Sequence, residues 1–164
     1  MARYSATWSS ITAAAVADTT TFVAGQAPGF LRSGNATVQC KINEVYLGGM
    51  DSASNPTEFI LARTSTISVG ALSVGNNALI DVNAQAPTNA PSWGSTAATT
   101  FPQRSSTLYL LEPTFNTFGG ISRWQARIGE EITVQGTTAT SGEVILSAKN
   151  GTGKTSGHIY YEVS

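Results

Sequence analysis

The sequence predicts an all-β, single-domain chain, and three observations carry that prediction. Apolar residues recur with period two rather than 3.6. The alternating runs are separated by turn-rich pieces at 25–29, 48–56, 75–77, 113–120, 136–142 and 150–157. No stretch carries a sustained helical pattern. About eight strands punctuated in this way indicate an antiparallel sandwich or barrel. The 164 residues suit one domain, which buries about 70% of the surface of its extended chain.

Taken in order, residues 1–24 read as an extended N-terminal arm leading into a first strand, and residues 25–164 as the sandwich domain. The alanines within 11–17 favour a short helix, but Thr19, Thr20, Thr21, Phe22 and Val23 favour extended chain. The run 36–47 changes parity: Val38, Cys40 and Ile42 share one face, whereas Val45 and Leu47 belong to the other. A β-bulge near Asn43 and Glu44 restores a common core face. The continuous apolar runs 59–62 and 107–111 read as central strands covered on both sides. Residues 84–103 hold three of the six prolines and only one large aromatic before Phe101, Trp93, so they read as a long surface loop. Four alternating segments close the chain. They place Trp124, Ala126 and Ile128, then Ile132 and Val134, then Val144, Leu146 and Ala148, and finally Ile159, Tyr161 and Val163 on a core face.

Composition excludes several functions. Nine basic and ten acidic residues leave a net charge of −1, and 12% charged residues is half the roughly 25% of an average domain. With no basic tract there is no electrostatic footprint for nucleic acid or an anionic membrane. No apolar stretch approaches the length of a membrane-spanning helix, and the segment 11–17 makes a poor signal peptide, so the expectation is a soluble product of a cytoplasm. Serine and threonine number 40, about a quarter of the chain. Cys40 stands alone between Val38 and Ile42, which points to a buried thiol rather than a disulfide, a zinc ligand or a nucleophile.

The loudest chemical pattern is AKNGTGKT at 148–155, which fits a relaxed phosphate-binding loop. Such a loop cradles phosphate on the N-terminus of the helix that follows it. Here His158, Tyr160 and Glu162 alternate with Ile159, Tyr161 and Val163, so a strand follows and a Gly-rich hairpin turn is the expectation for Lys149, Lys154 and Thr155. Asn35-Ala36-Thr37 and Asn150-Gly151-Thr152 match the glycosylation acceptor pattern, which a Thr-rich chain produces by chance. Asp18, Asp51 and Asp81 lie in separate segments and make no calcium loop. Paired carboxylates for glycoside hydrolysis could come from Glu44, Glu58, Glu112, Glu130, Glu131, Glu143 or Glu162, with nothing in the sequence to pair them. His158 is the sole imidazole, so a Ser–His–Asp triad has one candidate base, and it alternates outward beside Tyr160 and Glu162. Trp8, Trp93, Tyr109, Trp124 and Tyr160 could line a glycan groove or fill a core. The sequence therefore assigns no catalytic, cofactor-binding or metal-ligating residue.

Three passages carry a resemblance: KINEVYLGG at 41–49, EFILARTST at 58–66, and RWQARIGEE at 123–131 followed by two strands and a final Tyr-Glu-Val. Together they resemble a family of small tailed-phage and prophage virion proteins, the jelly-roll decoration (cement) proteins. The resemblance spans residues 36–164. It implies a jelly-roll sandwich, no enzymatic activity, and attachment to the major capsid protein on the head surface as a homo-oligomer, a trimer being favoured. In that setting the N-terminal arm and the 84–103 loop would reach neighbouring subunits. A second expectation is a carbohydrate- or receptor-binding sandwich of a phage tail or fibre that uses exposed aromatics.

Overall fold

A computed structural model describes residues 1–33, 35–74, 76–84, 92–97 and 99–164. Among these the chain forms two antiparallel sheets packed as a sandwich, with thirteen strands where about eight were expected. Sheet A runs β10 (Ile121–Gln125), β3 (Asn35–Gly49), β13 (Gly153–Val163), β1 (Ala2–Ala13), β6 (Asn76–Leu79), with β11 (Ile132–Gly136) also on β3. Sheet B runs β5 (Leu72–Val74), β7 (Ser92–Ala97), β2 (Gly29–Arg32), β12 (Glu143–Asn150), β4 (Pro56–Thr66), β8 (Gln103–Leu111), with β9 (Thr114–Asn116) also on β4. One helical turn, α1 (Ala139–Gly142), joins β11 to β12.

Period two places the core as expected. From sheet A, Val38, Cys40, Ile42, Val45, Leu47, Ile159, Tyr161 and Val163 point inward, and they meet Leu31, Phe59, Leu61, Val144, Leu146 and Ala148 of sheet B. The parity change in β3 is a bulge at Asn43. Tyr160 pairs with Glu44 and Tyr161 with Ile42, so Asn43 is the extra residue and both halves of the strand keep an apolar inner face.

The N-terminal arm is corrected: residues 2–13 form a strand hydrogen-bonded on both sides, to β13 and β6. Ala2, Ala6, Trp8 and Ala13 are buried. Alanines at alternate positions give little hydrophobic signal, yet they leave room for Tyr4 to stack on Tyr161 at 5.3 Å and for Trp8 to stack on Trp93 at 5.9 Å. Between Trp8 and Ile11 the register slips, with Ser10 at φ 55°, so the strand continues past a bulge instead of turning into a helix. The close approach of β1, β13 and β3 also needs Gly157, where a Cβ would lie 2.1 Å from the Tyr46 carbonyl oxygen and 2.5 Å from the Trp8 ring.

The 84–103 loop is corrected in part. Residues 85–91 and 98 lie outside the described residues, but 92–97 form β7 between β2 and β5, and Trp93 is only 1% exposed. Serine and glycine around that tryptophan disguise a strand whose one large side chain supplies its core contact. Residues 107–111 belong to β8, which lies at a sheet edge with irregular register against β4, so Leu108 faces solvent. The segment at Trp124, Ala126 and Ile128 is also corrected. The strand ends at Gln125, a turn closed by Glu130 N–H donating to the Arg127 carbonyl follows, and Ile128 is fully exposed. By contrast 59–62 is a central strand covered on both faces, as its unbroken apolar run requires.

The second cover of sheet B comes from the segment after β1. Val16 N–H donates to the Ala148 carbonyl, Thr19 N–H to Arg104 and Phe22 N–H to Pro102, which carries the chain across the outer face of the sheet. There Phe22 and Ala27 pack on Phe30, Ile60, Ala62 and Ile145 in a second apolar cluster.

Candidate functional site

Among the described residues nothing covers the outer face of sheet A in this way, and antiparallel register arranges its side chains in rows. Thr7, His158, Tyr46 and Arg123 lie side by side across β1, β13, β3 and β10; Ser5, Tyr160, Glu44 and Gln125 form the next row. Three rings stack: Tyr46 and His158 with centroids 5.1 Å apart, His158 and Tyr160 at 4.3 Å. Glu44 lies beside them, nearly buried. His158 Nε2 is 2.8 Å from its Oε1, and Arg123 Nη2 donates to its Oε2 at 2.7 Å. Burial pushes the Glu44 carboxyl up, but the hydrogen bonds from Arg123 and His158 outweigh that and hold it below the ordinary glutamate range. The bulge at Asn43 is what turns Glu44 onto this face while Val45 returns to the core.

Next to Tyr160 is an open cavity of about 230 Å³ lined by Arg3, Asn43, Glu44, Ile80, Gln125, Tyr161 and Glu162 as well as Tyr160 itself. Arg3 Nε donates to Glu162 at 3.2 Å across it. The arrangement can stack a ring and hydrogen-bond its substituents. His158 is hydrogen-bonded to Glu44, and Cys40 lies elsewhere, a buried thiol whose pKa burial raises well above its ordinary value.

Other singled-out residues go elsewhere. In the 148–155 segment β13 begins at Gly153, so a strand follows, as the alternation required. The turn is not a hairpin, however, because β12 belongs to sheet B and β13 to sheet A. Gly151 makes it at φ 72°, where a Cβ would meet the Pro56 carbonyl oxygen at 2.3 Å. Lys149 Nζ contacts Glu112 at 2.5 Å and Glu58 at 3.5 Å, Lys154 N–H donates to Asp51, and the Thr155 hydroxyl donates to the buried Gly48 carbonyl. The residues of the apparent phosphate loop thus diverge into three separate contacts.

Asp18, Asp51 and Asp81 stay apart: Asp18 pairs with the buried Arg104 at 3.1 Å, Asp51 ties Thr117 to Lys154, and Asp81 caps the turn at Asn83. Among the described residues no group of three or more His, Cys, Asp or Glu could hold a metal ion. Glu143 is fully buried and accepts hydrogen bonds from the Ser68 backbone and hydroxyl; burial still raises its carboxyl above the ordinary range. Asn35 accepts from both Thr37 N–H and the Thr37 hydroxyl at 2.8 Å, folding the first acceptor pattern into its own turn.

Of the five aromatics considered for a glycan groove, Trp8 and Trp93 are core, and Tyr109 donates to Asp18 beneath Lys149. Trp124 is half-buried, leaving Tyr160 alone on the open face. Tyr46 and His158 complete the platform, and only the cross-strand register brings them together.

The β10 edge has a different character. Between the sheets it opens into a largely apolar cleft lined by Val45, Leu47, Leu111, Pro113 and Trp124, with Glu112 and Ser122 among them. Beside the cleft, the flanking turns and the strand expose Phe118 (58%), Ile121 (66%) and Ile128 (102%). Among the described residues no helix is long and apolar enough to cross a membrane. No protein-family model, curated protein or solved structure matches the chain.

Proposed function

We propose that this chain is a structural virion protein of a tailed phage: a decoration protein with a jelly-roll sandwich that binds the major capsid protein on the head surface as a homo-oligomer, a trimer being favoured. The observation that carries this reading is the apolar β10 edge. Two of the three phage-like passages, 41–49 and 123–131, lie there, with β3 and β10 paired from Gly48–Ile121 to Glu44–Gln125. An edge of exposed Phe118, Ile121 and Ile128 beside a largely apolar cleft suits a docking surface that excludes water. The role needs a rigid body and broad contacts and no chemistry, and a lattice of copies multiplies weak contacts through effective concentration. With only 12% of the chain charged, salt weakens attachment only modestly.

The test mixes the protein with undecorated heads. Co-sedimentation at micromolar protein and a raised rupture temperature are expected, and both should be lost in the double variant Phe118→Asp, Ile121→Asp, whose sites are already exposed. Equal rupture thresholds with and without protein, and no co-sedimentation, would overturn the reading.

A further inference from the structure

The cavity beside Tyr160 is on the outer face of sheet A, reaches β10 at Gln125, and is built differently from the exposed apolar turns. We propose that it binds a single neutral sugar ring, a function independent of attachment to a head.

Size sets the first limit. At about 230 Å³ the cavity is smaller than the roughly 300–1,000 Å³ of drug-sized sites, so it seats one ring. The walls set the second. Tyr160 stacks on His158, which stacks in turn on Tyr46, and the Tyr160 ring also forms a wall of the cavity. A further ring entering the cavity continues that stack. The C–H face of a pyranose is apolar enough to lie on an aromatic ring, and a wall already held in place loses little side-chain freedom on binding.

The rim decides the chemical class. Glu44, Glu162 and Arg3 are already paired there, and the side-chain amides of Asn43 and Gln125 each present both a donor and an acceptor. Sugar hydroxyls both donate and accept, so a rim mixing the two suits them. A phosphate or acidic sugar would meet two carboxylates, with Arg3 already engaged by Glu162 at 3.2 Å. A cationic ligand gains little either, because Glu44 is satisfied by Arg123 and His158 and Glu162 by Arg3. A plain aromatic ligand would stack but leave the rim without partners, which is costly for polar groups taken from water.

Saturation-transfer NMR on the full chain tests this, using the methyl glycosides of glucose, galactose, mannose and N-acetylglucosamine, with N-acetylneuraminic acid as the acidic comparison. At least one neutral glycoside should bind with a millimolar Kd and receive saturation mainly at its C–H protons. Tyr160→Ala should weaken that binding about tenfold with an unchanged melting midpoint, whereas Tyr160→Phe should bind about as well as the wild type. Gln125→Leu, at an exposed position where the fold is not at stake, should weaken it too. Absence of transfer from all four neutral glycosides would overturn the proposal. So would transfer undiminished in both Tyr160→Ala and Gln125→Leu, or tighter binding of the acidic sugar.

Discussion

The outer faces of the two sheets are finished in opposite ways. Sheet B is covered twice: its inner residues Leu61 and Leu146 meet sheet A, and its outer residues Ile60, Ala62 and Ile145 lie under Phe22 and Ala27. Among the described residues sheet A is covered once, and its outer face is a platform of Tyr46, His158 and Tyr160 around a paired Glu44. The strands reflect this directly. Those of sheet B carry unbroken apolar runs such as 59–62 and 144–146, and those of sheet A alternate with polar residues. In this sandwich sheet B buries apolar side chains on both faces, and among the described residues sheet A keeps its outer face free for contact.

The largest effect separates strand from arm. Removing residues 1–13 takes away a strand paired on both sides and should abolish the cooperative unfolding transition, read by circular dichroism against temperature. A truncated chain that melts like the full one would mean that the segment does lie outside the sandwich. Next come the two outer faces themselves. Phe30→Ala, fully buried under the cover of sheet B, should cost about 3–5 kcal/mol in denaturant unfolding. Tyr160→Ala on the bare face of sheet A should cost less than about 1 kcal/mol, as expected at an exposed site. Similar losses at the two positions would erase the distinction.

Acid sharpens the contrast, because one glutamate on each sheet is shifted in the opposite sense. Glu44 titrates below its unfolded value, so its contribution to stability is complete above the ordinary glutamate range and is lost as pH falls through the lower folded value. Glu143 titrates above its unfolded value, so stability is greatest below the ordinary range and declines as pH rises through the higher folded value. Unfolding free energies measured across acid pH should therefore show a shallower acid-side loss in Glu44→Gln than in the wild type. In Glu143→Gln the decline on raising pH should be shallower. The smallest effect is at the rim: Arg3→Ala breaks an ion pair whose arginine is two-thirds exposed, and should change stability by at most about 1 kcal/mol.

Much of the sandwich was legible because period two survives wherever large apolar side chains alternate with polar ones. Ile159, Tyr161 and Val163 were placed correctly on that basis, and so was the bulge at Asn43, from the parity change between Ile42 and Val45. What escaped had small residues at its core positions. β1 buries Ala2, Ala6 and Ala13, and β7 buries Trp93 between serine and glycine, so neither registered as a strand. Ile128 failed in the other direction: it continued the alternation beyond the turn that ends β10. The platform was legible only in fragments. Tyr160 and His158 were seen to alternate outward, but nothing local joins them to Tyr46, Glu44 and Arg123, which reach the face through strand register alone.

The contrast between a covered and a free sheet face is tested most directly by hydroxyl-radical footprinting of the free protein, with oxidation read residue by residue by mass spectrometry. Tyr160 and Ile121, at 36% and 66% exposure, should oxidise quickly, while Phe22 and Phe30, at 4% and 0%, should stay protected until the chain unfolds. Oxidation of Phe22 and Phe30 at rates comparable to Tyr160 in the folded protein would contradict it.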